Sequence, residues 1–110
     1  MEKELRKILD LIEKADKAKI EKKNLKEKDI QKLLKNKNIQ LFKDIEEEKI
    51  RIAYAKALLA FYEKTNIAKS LRNEIIAKLA NERNISKAIK EFGAKEGKVA
   101  ILFLKRKNKS

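Results

Sequence analysis

Arg83-Asn84 is the polar pair most suggestive of chemistry in this 110-residue chain. Asn84 stands just before an apolar pattern that opens with Ile85, where a helix N-cap is wanted. A helix N-terminus offers free N–H groups and the positive end of the macrodipole. With a guanidinium beside it, such a corner suits an anion. An ordinary cap next to a surface arginine fits the same residues. The other candidate is Glu46-Glu47-Glu48, which resembles an acid–base or metal site on paper. Three acids are also what a first helical turn favours, and no histidine or second acidic cluster completes a metal set.

The missing residue types narrow the chemistry further. The chain has no Cys, His, Pro or Trp, and only Gly93 and Gly97 as glycines. Disulfides and thiolate metal sites need the absent sulfur. Triads and imidazole acid–base catalysis need the absent histidine. A phosphate-cradling loop needs glycines in closer series. A non-catalytic binding module without metal or cofactor is expected.

Charge points to the class of partner. Lys and Arg number 30 against 17 acids, a net of +13. The excess is concentrated. Residues 17–43 hold ten lysines and three acids, and residues 98–110 hold five bases and no acid. Lys22, Lys23, Lys26, Lys32 and Lys35 form the candidate basic patch. Phosphate neutralisation by such residues dominates nucleic-acid affinity, and a solvated, solubilising face is the competing reading. No apolar stretch approaches the ~20 residues of a membrane span. Met1-Glu2-Lys3-Glu4 leads into an amphipathic pattern, so a soluble, cytoplasmic chain is expected.

These residues need elements to hold them. Leu5, Ile8, Leu9, Ile12 and Ala15 predict an amphipathic helix. Lys19-Ile20-Glu21 reads as a strand edge or coil. Asn24 with Glu27 predicts a capping box opening a helix through Ile30, Leu33 and Leu34, and Ile39 to Phe42 predicts a short strand. Asp44 with Glu47 predicts a second box, opening a long helix marked by Ile50, Ala53, Tyr54, Ala57, Leu58 and Phe61. Ile67, Leu71, Ile75 and Leu79 form the next helical stripe, and Ile85, Ala88, Ile89 and Phe92 a third. Gly93 stands where a left-handed C-cap is wanted. Val99 to Leu104 predicts a strand buried on both faces. The six aromatics fall on stripe or strand positions, which predicts core packing over base stacking. The expected fold is α/β and helix-rich: a small sheet of short strands packed by amphipathic helices. Residues 1–104 are expected to form one domain, with 1–37 its least defined part and 105–110 a basic disordered tail.

Several stretches resemble one family. They are Ala57-Leu58-Leu59-Ala60-Phe61, Ile67-Ala68-Lys69-Ser70-Leu71, Asn73-Glu74-Ile75-Ile76-Ala77 and Arg83 through Gly93. Together they resemble the small kinase-binding regulatory subunit of the KEOPS complex, the PRPK-binding protein family, in its archaeal form. The resemblance implies a subunit that binds and stimulates an atypical kinase-like ATPase. It also implies binding of tRNA at the 3′ CCA end, in an assembly that installs threonylcarbamoyl on adenosine 37. The family's Ser-Gly pair falls on Ala80-Asn81, and its polar-Gln-Ile run on Arg83-Asn84-Ile85. Lys78, Asn81, Arg83, Asn84, Ile85 and Lys87 are therefore the expected RNA-binding set. A stand-alone basic nucleic-acid-binding protein and a purely structural bridging subunit are the alternatives.

Overall fold

A computed structural model describes residues 2–104. In chain order the elements are α1 (Glu2–Asp16), β1 (Ile20–Leu25), α2 (Glu27–Leu34), β2 (Ile39–Lys43), α3 (Glu47–Glu63), α4 (Leu71–Ala80), α5 (Ile85–Phe92) and β3 (Gly97–Phe103). The fold is α/β and helix-rich, with one three-stranded antiparallel sheet. The expected basic tail, 105–110, lies outside the described residues.

The most apolar strand takes the central place. The sheet order is β1-β3-β2, with Ile20 opposite Leu102 and Ile39 opposite Phe103. Side chains alternate along a strand, so β3 serves two cores. Ala100 and Leu102 meet Ala15 of α1, Tyr54 and Ala57 of α3, Ile75 of α4 and Ala88 of α5. Val99 and Ile101 meet Ile30 of α2, with Leu33 and Leu34 at its border. Each buried Val, Leu or Ile contributes about 1.5–3 kcal/mol. The sheet is thus sandwiched between α2 and the other four helices.

Two arginines close helix ends. Arg51 of α3 donates from Nη1 to the carbonyls of Ala15, Asp16 and Ala18, at 3.1, 2.9 and 2.6 Å. These carbonyls lie at and just past the end of α1, where helical acceptors run out of i+4 donors; Ala15 O also accepts from Ala18 N–H at 3.3 Å. Arg72 of α4 does the same for α2, reaching Leu34 O at 3.1 Å and Asn36 O at 3.0 Å. Gln40 secures β2: its Oε1 accepts from Leu41 N–H at 2.9 Å, and its Nε2 donates to Arg72 O at 2.7 Å.

Several local expectations need correction. Asn24 lies within β1. The α2 N-cap is Lys26, whose N–H donates to Asp29 at 3.4 Å. Asp44 caps nothing, because Lys22 holds its carboxylate at 2.7 Å; α3 is preceded by Glu46, which makes no side-chain cap bond. Ile67 stands outside α4, which Ser70 caps by accepting from Asn73 N–H. Gly93 is extended, with φ −66° and ψ 156°. The left-handed caps are Lys64 and Asn81. Gly93 is needed for a different reason: a Cβ there would come 2.4 Å from the Ile89 carbonyl oxygen. The α1 stripe is helical but largely uncovered. Ala15 is buried, whereas Leu5 is 59% and Leu9 56% exposed.

Candidate functional site

The α4–α5 corner is built by short-range bonds. Asn81 ends α4 in the left-handed region, φ 53° and ψ 46°, which turns the chain sharply. Asn84 then caps α5 by accepting from Lys87 N–H at 3.1 Å. Glu82 lies inside the turn. Its Oε1 accepts from Asn84 N–H at 3.1 Å, and its Oε2 sits 4.0 Å from the Lys87 ammonium. The helix terminus therefore already has a carboxylate beside it, a feature that inspection of Arg83-Asn84 missed. Asn81, Arg83, Asn84 and Lys87 are exposed, and Ile85 is half-buried. These five share one corner.

Lys78 has a different setting. It lies one helical turn after Glu74, whose side chain is fully buried. Glu74 Oε1 accepts from the N–H groups of Ile67 and Ala68 at 2.8 and 2.7 Å, fixing the loop before α4. Its Oε2 receives no hydrogen bond among the described residues and faces the Lys78 ammonium at 3.2 Å. Lys78 thus compensates a buried charge before it can serve any ligand.

On its other side Lys78 borders a cleft of about 560 Å³ between α3, α4 and α5. Lys43, Lys49 and Lys56 also line it, as do Ile52 and Phe92. The Lys43 ammonium lies 4.6 Å from the centre of the Phe92 ring, a cation–π contact. Ile52 is half-exposed at the rim. The cleft's lining is largely apolar, and its rim carries both signs of charge, because Asp44 and Glu46 stand among the lysines. Local sequence patterns do not reveal the cleft, because its lysines come from three separate elements.

The basic patch is divided by the sheet. Lys22 lies opposite Ala100 and Lys23 opposite Val99, so they point to opposite faces. Lys22 is held by Asp44, and that contact keeps the Asp44 carboxyl below the usual carboxylate range. Lys23, Lys26, Lys32 and Lys35 are exposed along β1 and α2. Glu21 is likewise lowered by its bond to Lys19.

The aromatics divide too. Phe42 and Tyr54 are core residues, Phe92 and Phe103 lie half-buried under lysines, and Tyr62 is exposed. Among the described residues no group of three or more His, Cys, Asp or Glu is placed to hold a metal ion. No described helix is long and apolar enough to cross a membrane.

The described surface offers three features: a basic corner, a largely apolar cleft with charged groups at its rim, and a separate row of lysines. No curated protein matches the chain. Residues 43–110, which include α3, α4, α5 and β3, match the family described as kinase binding protein CGI-121. The chain therefore belongs to that family, the one that contains the small regulatory subunit of the KEOPS complex.

Proposed function

We propose that the chain is a non-catalytic KEOPS subunit that binds and stimulates the kinase-like ATPase and helps hold tRNA for threonylcarbamoyl transfer to adenosine 37. The observation that carries the reading is the kinase-binding family match over 43–110. The α3–α4–α5 layer falls within that span, and its cleft offers apolar surface at Ile52 and Phe92 for a protein partner. The tRNA role draws on the net charge of +13 and on the exposed Asn81, Arg83 and Lys87. Glu82 tempers the corner's charge, which leaves Arg83 as its outward cation. Unpaired RNA ends are where proteins reach base edges most easily, so the 3′ CCA end is the expected contact.

Two measurements test this. A pull-down with the purified kinase subunit should retain the chain, and failure to retain it removes the KEOPS assignment. In a gel shift at fixed salt, Arg83→Glu should weaken tRNA binding about tenfold, since reversing one contact costs roughly 1–2 kcal/mol. Unchanged affinity removes the corner from the RNA site.

A further inference from the structure

The sheet stops at β2, and the helices on its two faces part there. A groove of about 550 Å³ runs along that free border. Four elements each give it one aliphatic side chain: Leu34 from α2, Leu41 from β2, Ile76 from α4 and Ile89 from α5. Leu41 and Ile76 are each 1% exposed, whereas Ile89 is 44% exposed. The apolar surface thus runs from a closed floor to an open rim. Helix α5 separates this groove from the cleft that Phe92 lines.

The charges around the groove indicate what fills it. Among the described residues, Arg72, Lys90 and Lys95 line it, and no acid does. Glu91 and Glu96 follow the two lysines in sequence but are not part of the lining. Neither lysine is ion-paired among the described residues. Arg72 is half-buried; its Nη1 serves the Leu34 and Asn36 carbonyls, and no described carboxylate meets it. A carboxylate entering here would meet a cation that solvent screens only in part. No described aromatic residue lines the groove, so it offers no stacking platform to an RNA base. Backbone pairing is closed off as well, because Gln40 holds the Leu41 N–H and is tied to Arg72 O. Side chains remain as what can enter: large aliphatic ones with acids beside them.

We propose that this groove docks a segment of a partner protein in which large aliphatic side chains are flanked by carboxylates. The aliphatic groups lie over Leu41 and Ile76 and against Ile89, and the carboxylates face Arg72, Lys90 and Lys95. The proposal stands apart from the kinase and tRNA reading, since it uses neither the α4–α5 corner nor the cleft.

Amide NMR of the full chain at fixed salt tests the proposal. The probe is a short synthetic peptide with Leu pairs between Glu pairs. It should shift the signals of Ile89, Lys90, Ala94 and Lys95 and leave those of Lys56 and Arg83 in place. Ile89→Ser should weaken binding about tenfold with an unchanged circular dichroism spectrum. Lys90→Glu combined with Lys95→Glu should weaken it as much. The same charge change at Lys7 and Lys23, which do not line the groove, should leave it within about twofold. A probe with Ser in place of Leu separates docking from plain charge attraction and should leave the groove signals unmoved, as should an oligouridine. The proposal is overturned by an absence of shifts at the four residues, by equal binding of the Ser probe, or by equal losses from the two charge changes. Groove shifts with oligouridine would assign the groove to RNA, and shifts on concentrating the chain alone would assign it to a second copy; either result overturns the proposal.

Discussion

Glu74 and Lys78 show how one residue's environment decides its duties. Two backbone N–H groups and one ammonium meet in a carboxylate with no exposure. Removing the cation leaves that charge buried with only the loop N–H groups. Lys78→Ala is therefore expected to lower stability in urea melts by about 1–3 kcal/mol. Lys87→Ala, whose ammonium lies in solvent, should change it by no more than ~0.5 kcal/mol. A weakened RNA contact in Lys78→Ala thus needs a stability control before it is read as a binding effect. Asp44 supplies a pH signature. Its carboxyl is depressed by Lys22, so the stability it adds is present above the ordinary Asp value near 3.9 and is lost as pH falls through the lower, folded value. Asp44→Asn should flatten the acid limb of the stability curve below about pH 4 relative to wild type. A limb of equal steepness would show the Lys22 contact to be absent in solution.

Element by element, periodicity was the readable part. The order helix, strand, helix, strand, three helices, strand follows from apolar spacing, and β3 could be recognised as doubly buried from six apolar residues in succession. The element boundaries were harder. Asn24 and Asp44 have the residue types of N-caps, yet one is consumed by strand pairing and the other by Lys22. Both outcomes depend on partners more than 20 residues away in sequence or across the sheet, which local patterns do not contain. Gly93 was identified as special, but for the wrong physical cause. Its demand is steric closeness to the Ile89 carbonyl, and so Gly93→Ala should destabilise by about 1–3 kcal/mol even though its φ suits any residue. Thermal melts showing no loss would mean that α5 ends differently. The candidate corner was legible because Asn81 through Lys87 are contiguous. The cleft beside it was hidden because packing brings Lys43, Lys56 and Lys78 together.

For the whole molecule, charge is the property that reaches furthest. A net of +13 on a chain this small favours polyanions at a distance. The expected tRNA affinity falls steeply with salt, by about 0.7–0.9 log units per log unit for each phosphate contacted. Titration from low to moderate salt should give a slope of about −3 or steeper, matching four or more contacts. A flat response would assign the charge to solubility instead. The division of Lys22 from Lys23 by the sheet bears on this, because lysines on opposite faces do not follow one strand of RNA together.

The side-chain amide of Gln40 has a consequence for how the molecule behaves in crowded solution. It occupies the Leu41 N–H at the outer border of β2 and is itself anchored to the neighbouring helix. A foreign strand arriving there finds that donor taken, so the β2 side of the sheet resists fibrous growth. Recruitment of an extra strand is left to the β1 side, the other border of the sheet, where Lys23 is exposed.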